Sequence, residues 1–168
     1  MNELVSNRLP VSVVQEDLEY IAWALREEFA ALAGRRLLIT GGAGFLGYYL
    51  VQAPLFWNAQ APAAEQIDVT VYDNYARGVP PWLTELAGTP RLTLVKHDVI
   101  QPLPADMGEF DYIVHAAGIA SPSYYRRFPL ETMDANINGL RYLLECCRAR
   151  QGRERPVEGM LFFSSSEI

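Results

Sequence analysis

A short apolar strand that runs straight into three closely spaced glycines constrains this chain more than any other feature. Residues 36–40 have the pattern of the strand, and Gly41, Gly44 and Gly47 follow it. A turn this tight needs backbone angles that a Cβ forbids, which we assign to Gly41. We expect Gly44 to let a pyrophosphate approach the backbone, and Gly47 to let the next helix pack closely on the sheet. Since a helix N-terminus attracts anions, the pattern predicts a phosphate-binding turn.

An acidic residue at the end of the next predicted strand favours NAD as the ligand. Asp73 closes the strand 67–72, and a carboxylate there can accept hydrogen bonds from both ribose hydroxyls and would repel a 2′-phosphate. Arg77 is the opposing signal, because a nearby arginine can hold that phosphate and so favour NADP. A glycine-rich turn with a purely structural role is the other alternative. We predict NAD.

Strands alternate with helices along the rest of the chain, which is typical of a parallel sheet with helical crossovers. A helix is expected from about Gly44 to just before Pro54, then an irregular insertion over 53–66, and a long helix over Leu130–Arg150. The fold class predicted is α/β, a Rossmann-type doubly wound parallel sheet in the order 3-2-1-4-5. Its five strands are expected at 36–40, 67–72, 92–96, 111–115 and 160–164.

The first 34 residues precede this alternation and form a separate extension. Residues 1–10 have the composition of a loose tail, and apolar residues at three- and four-residue steps predict an amphipathic helix over 11–32. Ser12 is the expected N-cap and Gly34 the expected C-terminal stop. The sequence thus divides into an extension, 1–34, and a dinucleotide-binding domain, 35–168.

Charge and composition exclude several classes of partner. The net charge of −6 argues against nonspecific nucleic-acid binding and against an anionic membrane surface, because both reward clustered cations. The two cysteines are adjacent, Cys146 and Cys147, so a bridge between them is not expected. With no disulfide framework, no leader and no apolar run of about 20 residues, we expect a cytoplasmic protein.

Several motifs in order resemble the extended short-chain dehydrogenase/reductases, a superfamily of nucleotide-sugar epimerases, dehydratases and decarboxylases. The resemblance runs from about residue 35 to the end of the chain. It is carried by 40–47, Asp73-Asn74, Gly78, 97–99, 115–118, Asn136, Gly139 and 163–168. Two stretches, 97–103 and 120–125 with Pro129 downstream, resemble UDP-glucuronate decarboxylases in particular.

The resemblance implies a reaction and a partner. Bound NAD would oxidise C4 of a UDP- or dTDP-sugar, and a C5 carboxylate would then be lost as carbon dioxide. A 4,6-dehydratase or a 4-epimerase is the alternative within enzymes. A non-catalytic dinucleotide sensor is the alternative from another class. The resemblance also implies a homodimer formed through the helix 130–150.

The resemblance further assigns ligand contacts by position. For His115, both a ligand contact and a packed side chain remain open. Asp98 would either bind the adenine or cap a turn. Arg126 and Arg127 would either contact a diphosphate or lie on a solvated surface, and for this pair we favour the solvated surface. Asn136 is expected to bond across to a neighbouring strand. Cofactor contacts are Gly41, Gly44, Phe45, Leu46, Gly47, Asp73, Asn74, Arg77, Asp98, Val99, Ala116, Ala117 and Gly118, and sugar-nucleotide contacts are Ser121, Pro122 and Tyr124.

The catalytic groups implied by the resemblance lie at the end of the chain. Ser165 would polarise the sugar oxygen, with Ser164 or Ser166 as the alternatives if the register differs by one, and Glu167 would lie near the sugar ring. The base would be a tyrosine in a Tyr-x-x-x-Lys motif. None of the tyrosines has a lysine four residues on, and Lys96 is the single lysine. We therefore expect an enzyme truncated before that motif, whose 168 residues do not turn over.

Overall fold

The computed structural model describes residues 12–164, and five parallel strands form its centre. The sheet order is β3-β2-β1-β4-β5, which confirms the predicted topology. The strands are β1 (Arg36–Thr40), β2 (Asp68–Asp73), β3 (Leu92–Lys96), β4 (Tyr112–His115) and β5 (Gly159–Phe162). The helices are α1 (Val13–Ala24), α2 (Arg26–Ala31), α3 (Gly47–Asn58), α4 (Pro81–Glu85), α5 (Pro122–Arg127), α6 (Pro129–Asp134) and α7 (Leu140–Arg150).

Both faces of the sheet are covered, so its central strands are almost continuously apolar. Side chains of β1 point alternately to the two sides: Ile39 joins the cluster under α1 and α3, and Leu38 joins the cluster under α7. Both side chains are fully buried. Val71 of β2 extends the first cluster and Ile113 of β4 the second. Strand β1 therefore lies at the centre of the fold, and the glycine turn follows from its carboxyl end.

Helix α3 continues through Pro54, so the expected end before this proline was wrong. It also begins at Gly47 rather than near Gly44. A proline inside a helix costs about 3 kcal/mol, yet Pro54 and its neighbours on both sides are buried, and this packing outweighs the lost hydrogen bond. The helix ends at Asn58, whose side chain both donates to and accepts from the backbone of Ile67, at 2.8 and 2.7 Å. The irregular segment is accordingly 59–67 rather than 53–66.

The N-terminal extension forms two helices instead of the single helix expected over 11–32. The break is at Leu25, whose backbone leaves the helical region. Ser12 caps α1 by accepting from the amide of Gln15, which confirms the predicted N-cap. Gly34, the predicted stop, lies beyond the end of α2 at Ala31 and has a φ of +69°. Leu18 of α1 and Phe29 of α2 are buried in the cluster that includes α3. The tail predicted at residues 1–10 lies outside the described residues.

The predicted long helix over 130–150 is present as three consecutive segments, preceded by α5, which the sequence reading missed. A π-helical turn (Ala135–Gly139) joins α6 to α7. A Cβ on Gly139 would lie 3.1 Å from the Val99 side chain, so this glycine lets the helix approach the loop after β3. Within residues 12–164, no helix is long and apolar enough to cross a membrane.

Candidate cofactor site at the carboxyl end of the sheet

Gly41 is the residue on which the turn after β1 depends. Its φ is +75°, and its amide donates to the carbonyl of Tyr72 at 2.8 Å. A Cβ built on it would lie 2.6 Å from the Cα of Ala117, closer than real Cβ atoms come to backbone. Both the conformation and the space therefore require glycine, as the sequence predicted.

Gly42, which the sequence reading did not single out, has the role that we expected of Gly47. A Cβ on Gly42 would lie 2.5 Å from a methyl group of Val71 in β2, so Gly42 allows the turn to lie close on the sheet. A Cβ on Gly47 would instead collide with the backbone of Gly42. The close approach at Gly47 is thus between helix and turn, not between helix and sheet. The doubled glycine at 41–42 was the available signal.

The middle of the turn faces solvent. Phe45 is 90% exposed and Leu46 is also exposed, and among residues 12–164 their amide groups form no hydrogen bond. Gly44 is exposed and donates to the carbonyl of Gly41 at 3.1 Å. Together with the first turn of α3, these groups form an open helix N-terminus of the kind that attracts phosphate.

Asp73 at the end of β2 contacts the glycine turn directly. One carboxylate oxygen accepts from the amide of Ala43 at 3.0 Å, and the other accepts from the amide of Tyr75 at 2.8 Å. A carboxylate offers about four acceptor positions, so two remain for a ligand. Arg77, the opposing signal, is exposed. The structure thus brings the predicted acid and the predicted turn together at one edge of the sheet.

Asn74 and Asp98 meet across the ends of β2 and β3. The amide of Asn74 donates to Asp98 at 3.0 Å, and the second oxygen of Asp98 accepts from the amide of Ile100 at 3.2 Å. Asp98 therefore caps a turn, which is one of the two roles considered for it, and its carboxylate stays partly exposed after the end of β3. The side chain of Val99 is buried against Gly139. An adenine contact from Val99 would thus come from its backbone.

Small residues line the end of β4 next to the turn. The amide of Ala116 donates to the carbonyl of Thr40 at 3.0 Å, and Ala117 lies against Gly41. Gly118 is exposed, and the side-chain oxygen of Asn136 would lie 3.7 Å from a Cβ built on it. The expectation that Asn136 bonds across to a strand was wrong: its amide donates to the carbonyl of Thr132, one turn earlier, because the π-helical turn keeps it on the helix surface.

His115 is packed inside the sheet. It is fully buried, its Nδ1 lies 2.6 Å from the Thr40 hydroxyl, and its ring stacks on Phe162 at 5.4 Å. Burial lowers the pKa of His115 to about 4, so the ring is neutral at pH 7. Of the two interpretations of His115, the structure supports the packed side chain.

The predicted sugar-nucleotide residues lie at the start of α5, beyond the end of β4. Ser121 precedes the helix and Pro122 begins it, and both Pro122 and Tyr124 are exposed. Arg126 and Arg127 are exposed as well, and the guanidinium of Arg127 lies 5.2 Å from the ring centre of Phe128. The predicted catalytic residues Ser165 and Glu167 lie outside the described residues.

Comparison with known proteins gives the same family over most of the chain. The sequence profile of the NAD dependent epimerase/dehydratase family matches residues 37–168. The chain belongs to this family. It is 37% identical over 133 residues to UDP-glucuronic acid decarboxylase 6 of Arabidopsis thaliana, covering 79% of this chain and 34% of that protein. It is 32% identical over 134 residues to UDP-glucuronic acid decarboxylase 1 of Danio rerio, covering 80% and 28%.

Solved structures of epimerases and dehydratases share the fold. A UDP-galactose 4-epimerase superposes with a TM-score of 0.58 at 26% identity, over 78% of this chain and 38% of that one. DesIV, a dTDP-glucose 4,6-dehydratase from Streptomyces venezuelae solved with NAD and TYD bound, gives 0.55 at 28% identity, over 67% and 35%. The chain spans about a third of the length of the curated relatives it matches.

Membership in an NAD dependent family agrees with the predicted cofactor. The fit can be judged on the structure itself, because the turn is exposed at Phe45 and Leu46 and their amide groups form no hydrogen bond among residues 12–164. Asp73 lies at the next strand end with acceptor positions free. The matched residues begin at Leu37, so α1 and α2 lie outside the family core.

Proposed function

We propose that this chain binds NAD in the groove between the glycine turn and the ends of β2, β3 and β4. The observation that carries the proposal is the exposed middle of the turn at Phe45 and Leu46, whose amide groups form no hydrogen bond among residues 12–164, next to the carboxylate of Asp73. The open amide groups of the turn suit a pyrophosphate.

Each wall of the groove would contact a different part of the dinucleotide. The turn 41–47 would hold the pyrophosphate, and Asp73 would accept hydrogen bonds from the adenosine ribose. Asn74 and Asp98 would border the adenine. The segment 116–118, whose small residues leave room beside the strand ends, would face the second ribose and the nicotinamide. Asp73 would also repel a 2′-phosphate, which supports NAD over NADP.

We propose that the protein acts on a nucleotide sugar, most specifically as a UDP-glucuronate decarboxylase. The curated relatives named for this activity support the choice, at up to 37% identity. NAD, when bound, supplies the oxidation at C4 of the sugar. The exposed segment at Ser121, Pro122 and Tyr124 would border the sugar nucleotide, and Ser165 would polarise the reacting oxygen beside Glu167. The named solved structures favour 4-epimerisation or 4,6-dehydration as the second candidates.

We also propose that a homodimer covers the exposed side of α6 and α7. Leu130, Met133, Ile137 and Leu144 are each at least half exposed and lie along this helical stretch. Such a row of apolar side chains is stabilised when a second surface removes it from water. Sedimentation of Ile137→Glu against the unmodified chain tests the dimer, which should dissociate in the variant.

Calorimetric titration with NAD and NADP tests the cofactor proposal. We expect NAD to bind at least tenfold more tightly than NADP. Asp73→Asn should weaken NAD about tenfold, because a neutral amide is a poorer acceptor for two ribose hydroxyls. Asp68→Asn is the matched control, since Asp68 lies on the same strand at its other end. Equal affinity for both cofactors, or an Asp73→Asn variant that binds like the control, would contradict the proposal.

Product analysis tests the reaction. Incubation of the 168-residue chain with NAD and UDP-glucuronate, followed by NMR of the sugar region, should show no UDP-pentose. The expected reason is that the chain has no Tyr-x-x-x-Lys motif to supply the base. Binding of UDP-glucuronate, measured by saturation transfer, should still be detected and should weaken in Tyr124→Ala. Turnover by the chain alone would overturn the prediction of inactivity.

A further inference from the structure

The extension formed by α1 and α2 is firmly attached to the domain, although it lies outside the family core. Leu18 and Phe29 are buried against α3, and the hydroxyl of Tyr49 donates to Asp17. The Phe29 ring also stacks on Trp57 of α3, with 5.5 Å between ring centres. The extension is therefore a fixed part of the molecule, and its outer surface is a defined one.

That outer surface exposes large aromatic side chains. Tyr20 and Trp23 of α1 are each 66% exposed and lie beside each other, with ring centres 6.1 Å apart. Trp23 borders a groove of about 840 Å³ between α1 and the end of α3. Its apolar lining includes Phe56, Trp57 and Pro62. This volume falls within the range of about 300–1,000 Å³ that is typical of ligand pockets.

We call this groove the α1–α3 groove. The charged residues that line it are all acidic. Its charged lining residues are Glu19 and Glu65, and within residues 12–164 neither carboxylate takes part in a salt bridge. Glu19 accepts a hydrogen bond from the neutral amide of Gln15 at 2.8 Å, which leaves its charge uncompensated. The carboxyl end of α3 adds the partial negative charge of a helix C-terminus.

We propose that the α1–α3 groove binds a basic, apolar peptide segment of a partner protein. The carboxylates and the helix end attract arginine or lysine, and the exposed face of Trp23 suits a guanidinium group by cation–π attraction. The apolar lining of the groove would contact leucine-like or aromatic side chains of the peptide next to its basic residue. An amphipathic helix in a groove is a recurrent mode of peptide recognition with this division of roles.

The groove is separate from the cofactor site. It lies at the carboxyl end of α3, whereas the glycine turn precedes the amino end of that helix. A helix of 12 residues is about 18 Å long at 1.5 Å per residue. Peptide binding should therefore leave NAD affinity unchanged, so the two proposals can fail independently.

The test uses a synthetic amphipathic peptide of leucine and arginine about 12 residues long, roughly three helical turns. Tryptophan fluorescence of the full chain follows the titration, with a leucine–glutamate peptide as the negative probe. We expect micromolar binding of the arginine peptide and none of the glutamate peptide. Trp23→Ala should weaken binding at least tenfold without changing the melting temperature, because this side chain is mostly exposed.

A charge-matched pair of variants distinguishes the groove from general attraction to an acidic chain. Glu19→Gln combined with Glu65→Gln should weaken binding at least tenfold. Glu28→Gln combined with Glu85→Gln changes the net charge equally at exposed positions elsewhere and should weaken it less than twofold. Equal weakening by both pairs, or no binding of the arginine peptide at millimolar concentration, would overturn the proposal.

Sedimentation of the chain without peptide tests the other occupants. If the groove bound a second copy, the unmodified chain would self-associate and the Glu19/Glu65 variant would not. If residues 1–11 occupied it, their deletion would be needed before the peptide could bind. Either result would overturn the proposal of an external partner. Peptide binding by the unmodified chain, with self-association unchanged in the Glu19/Glu65 variant, supports it.

Discussion

The two ends of the sheet differ in how their polar groups are satisfied. At the amino end, Arg36 holds both Asp111 and Glu109, and Arg35 holds Glu158. Most charged groups there are paired with one another. At the carboxyl end, the helix N-terminus is open, and Asp73 keeps free acceptor positions. The amino end thus stabilises the fold by internal pairing, and the carboxyl end leaves its hydrogen-bonding capacity to a ligand.

The carboxyl end of the sheet also holds the two histidines of the chain. Both His97 and His115 lie at the carboxyl ends of strands, and each has a buried Nε2 without a hydrogen-bond partner within residues 12–164. Burial lowers the pKa of each ring. Trp57 Nε1, near the other end of α3, is also buried without a hydrogen-bond partner within residues 12–164. Substitutions at the two ends of the sheet should separate binding from stability.

The largest expected effect is that of Gly41→Ala at the carboxyl end. The alanine would have to adopt the left-handed backbone conformation of Gly41, and its methyl group would collide with Ala117. NAD affinity should therefore fall at least 100-fold. Gly88→Ala is the matched control, because Gly88 has a φ of +87° with open space around it. It should cost about 1–2 kcal/mol of stability and leave NAD affinity unchanged. Calorimetry and urea unfolding measure the two quantities, and a Gly41→Ala variant that binds NAD normally would contradict the comparison.

The next effect is on stability alone, at the amino end. Arg36→Met leaves the buried Asp111 without its ion-pair partner, which should cost about 3–5 kcal/mol, while NAD affinity of the folded protein stays within twofold. Hydrogen bonding from Arg36 lowers the pKa of Asp111. The stabilisation from the Arg36–Asp111 pair is therefore fully present above the ordinary pKa of an aspartate. It is lost as the pH falls through the lower pKa that Asp111 has in the folded protein. Urea unfolding at pH 7 and at pH 3 should show a smaller difference between variant and parent at pH 3.

A weaker acid dependence should come from His115. Its native pKa of about 4 lies below the ordinary 6.5, so the unfolded chain takes up a proton first as the pH falls. Stability should consequently decline by about 3 kcal/mol as the pH falls from above 6.5 to about 4. His115→Phe removes this decline, and the slope of unfolding free energy against pH measures it. An unchanged slope in the variant would show that His115 does not titrate on unfolding.

The smallest effect is expected from Arg91→Ala. Arg91 pairs with Asp68 at 2.9 Å, but both side chains are about 40% exposed. An exposed pair contributes about 0–1 kcal/mol, so the melting temperature should change by no more than a few degrees. A loss as large as that of Arg36→Met would show that exposure does not explain the difference between these two ion pairs.

The sequence predicted the strand order and the glycine turn because both follow from local patterns. Apolar strands separated by helical stretches require parallel pairing, and the glycine spacing fixes the turn. The continuation of α3 through Pro54 could not be predicted, since it depends on burial of Pro54 and its neighbours by distant elements. The break between α1 and α2 at Leu25 and the close packing of Gly42 on Val71 could not be predicted either. Each depends on which residue lies opposite in the folded chain.

The hydrogen bonds between Asn58 and Ile67 affect how much the sequence of the loop after α3 can vary. The side chain of Asn58 bonds to the backbone of Ile67 and so joins the two ends of the loop that follows α3. Residues inside this loop can therefore be replaced, or the loop lengthened, at little cost in stability. Part of the α1–α3 groove comes from that loop. We therefore expect this loop to vary in sequence and length between relatives, whereas the contacts of Gly41 and Gly42 fix the turn at the other end of α3.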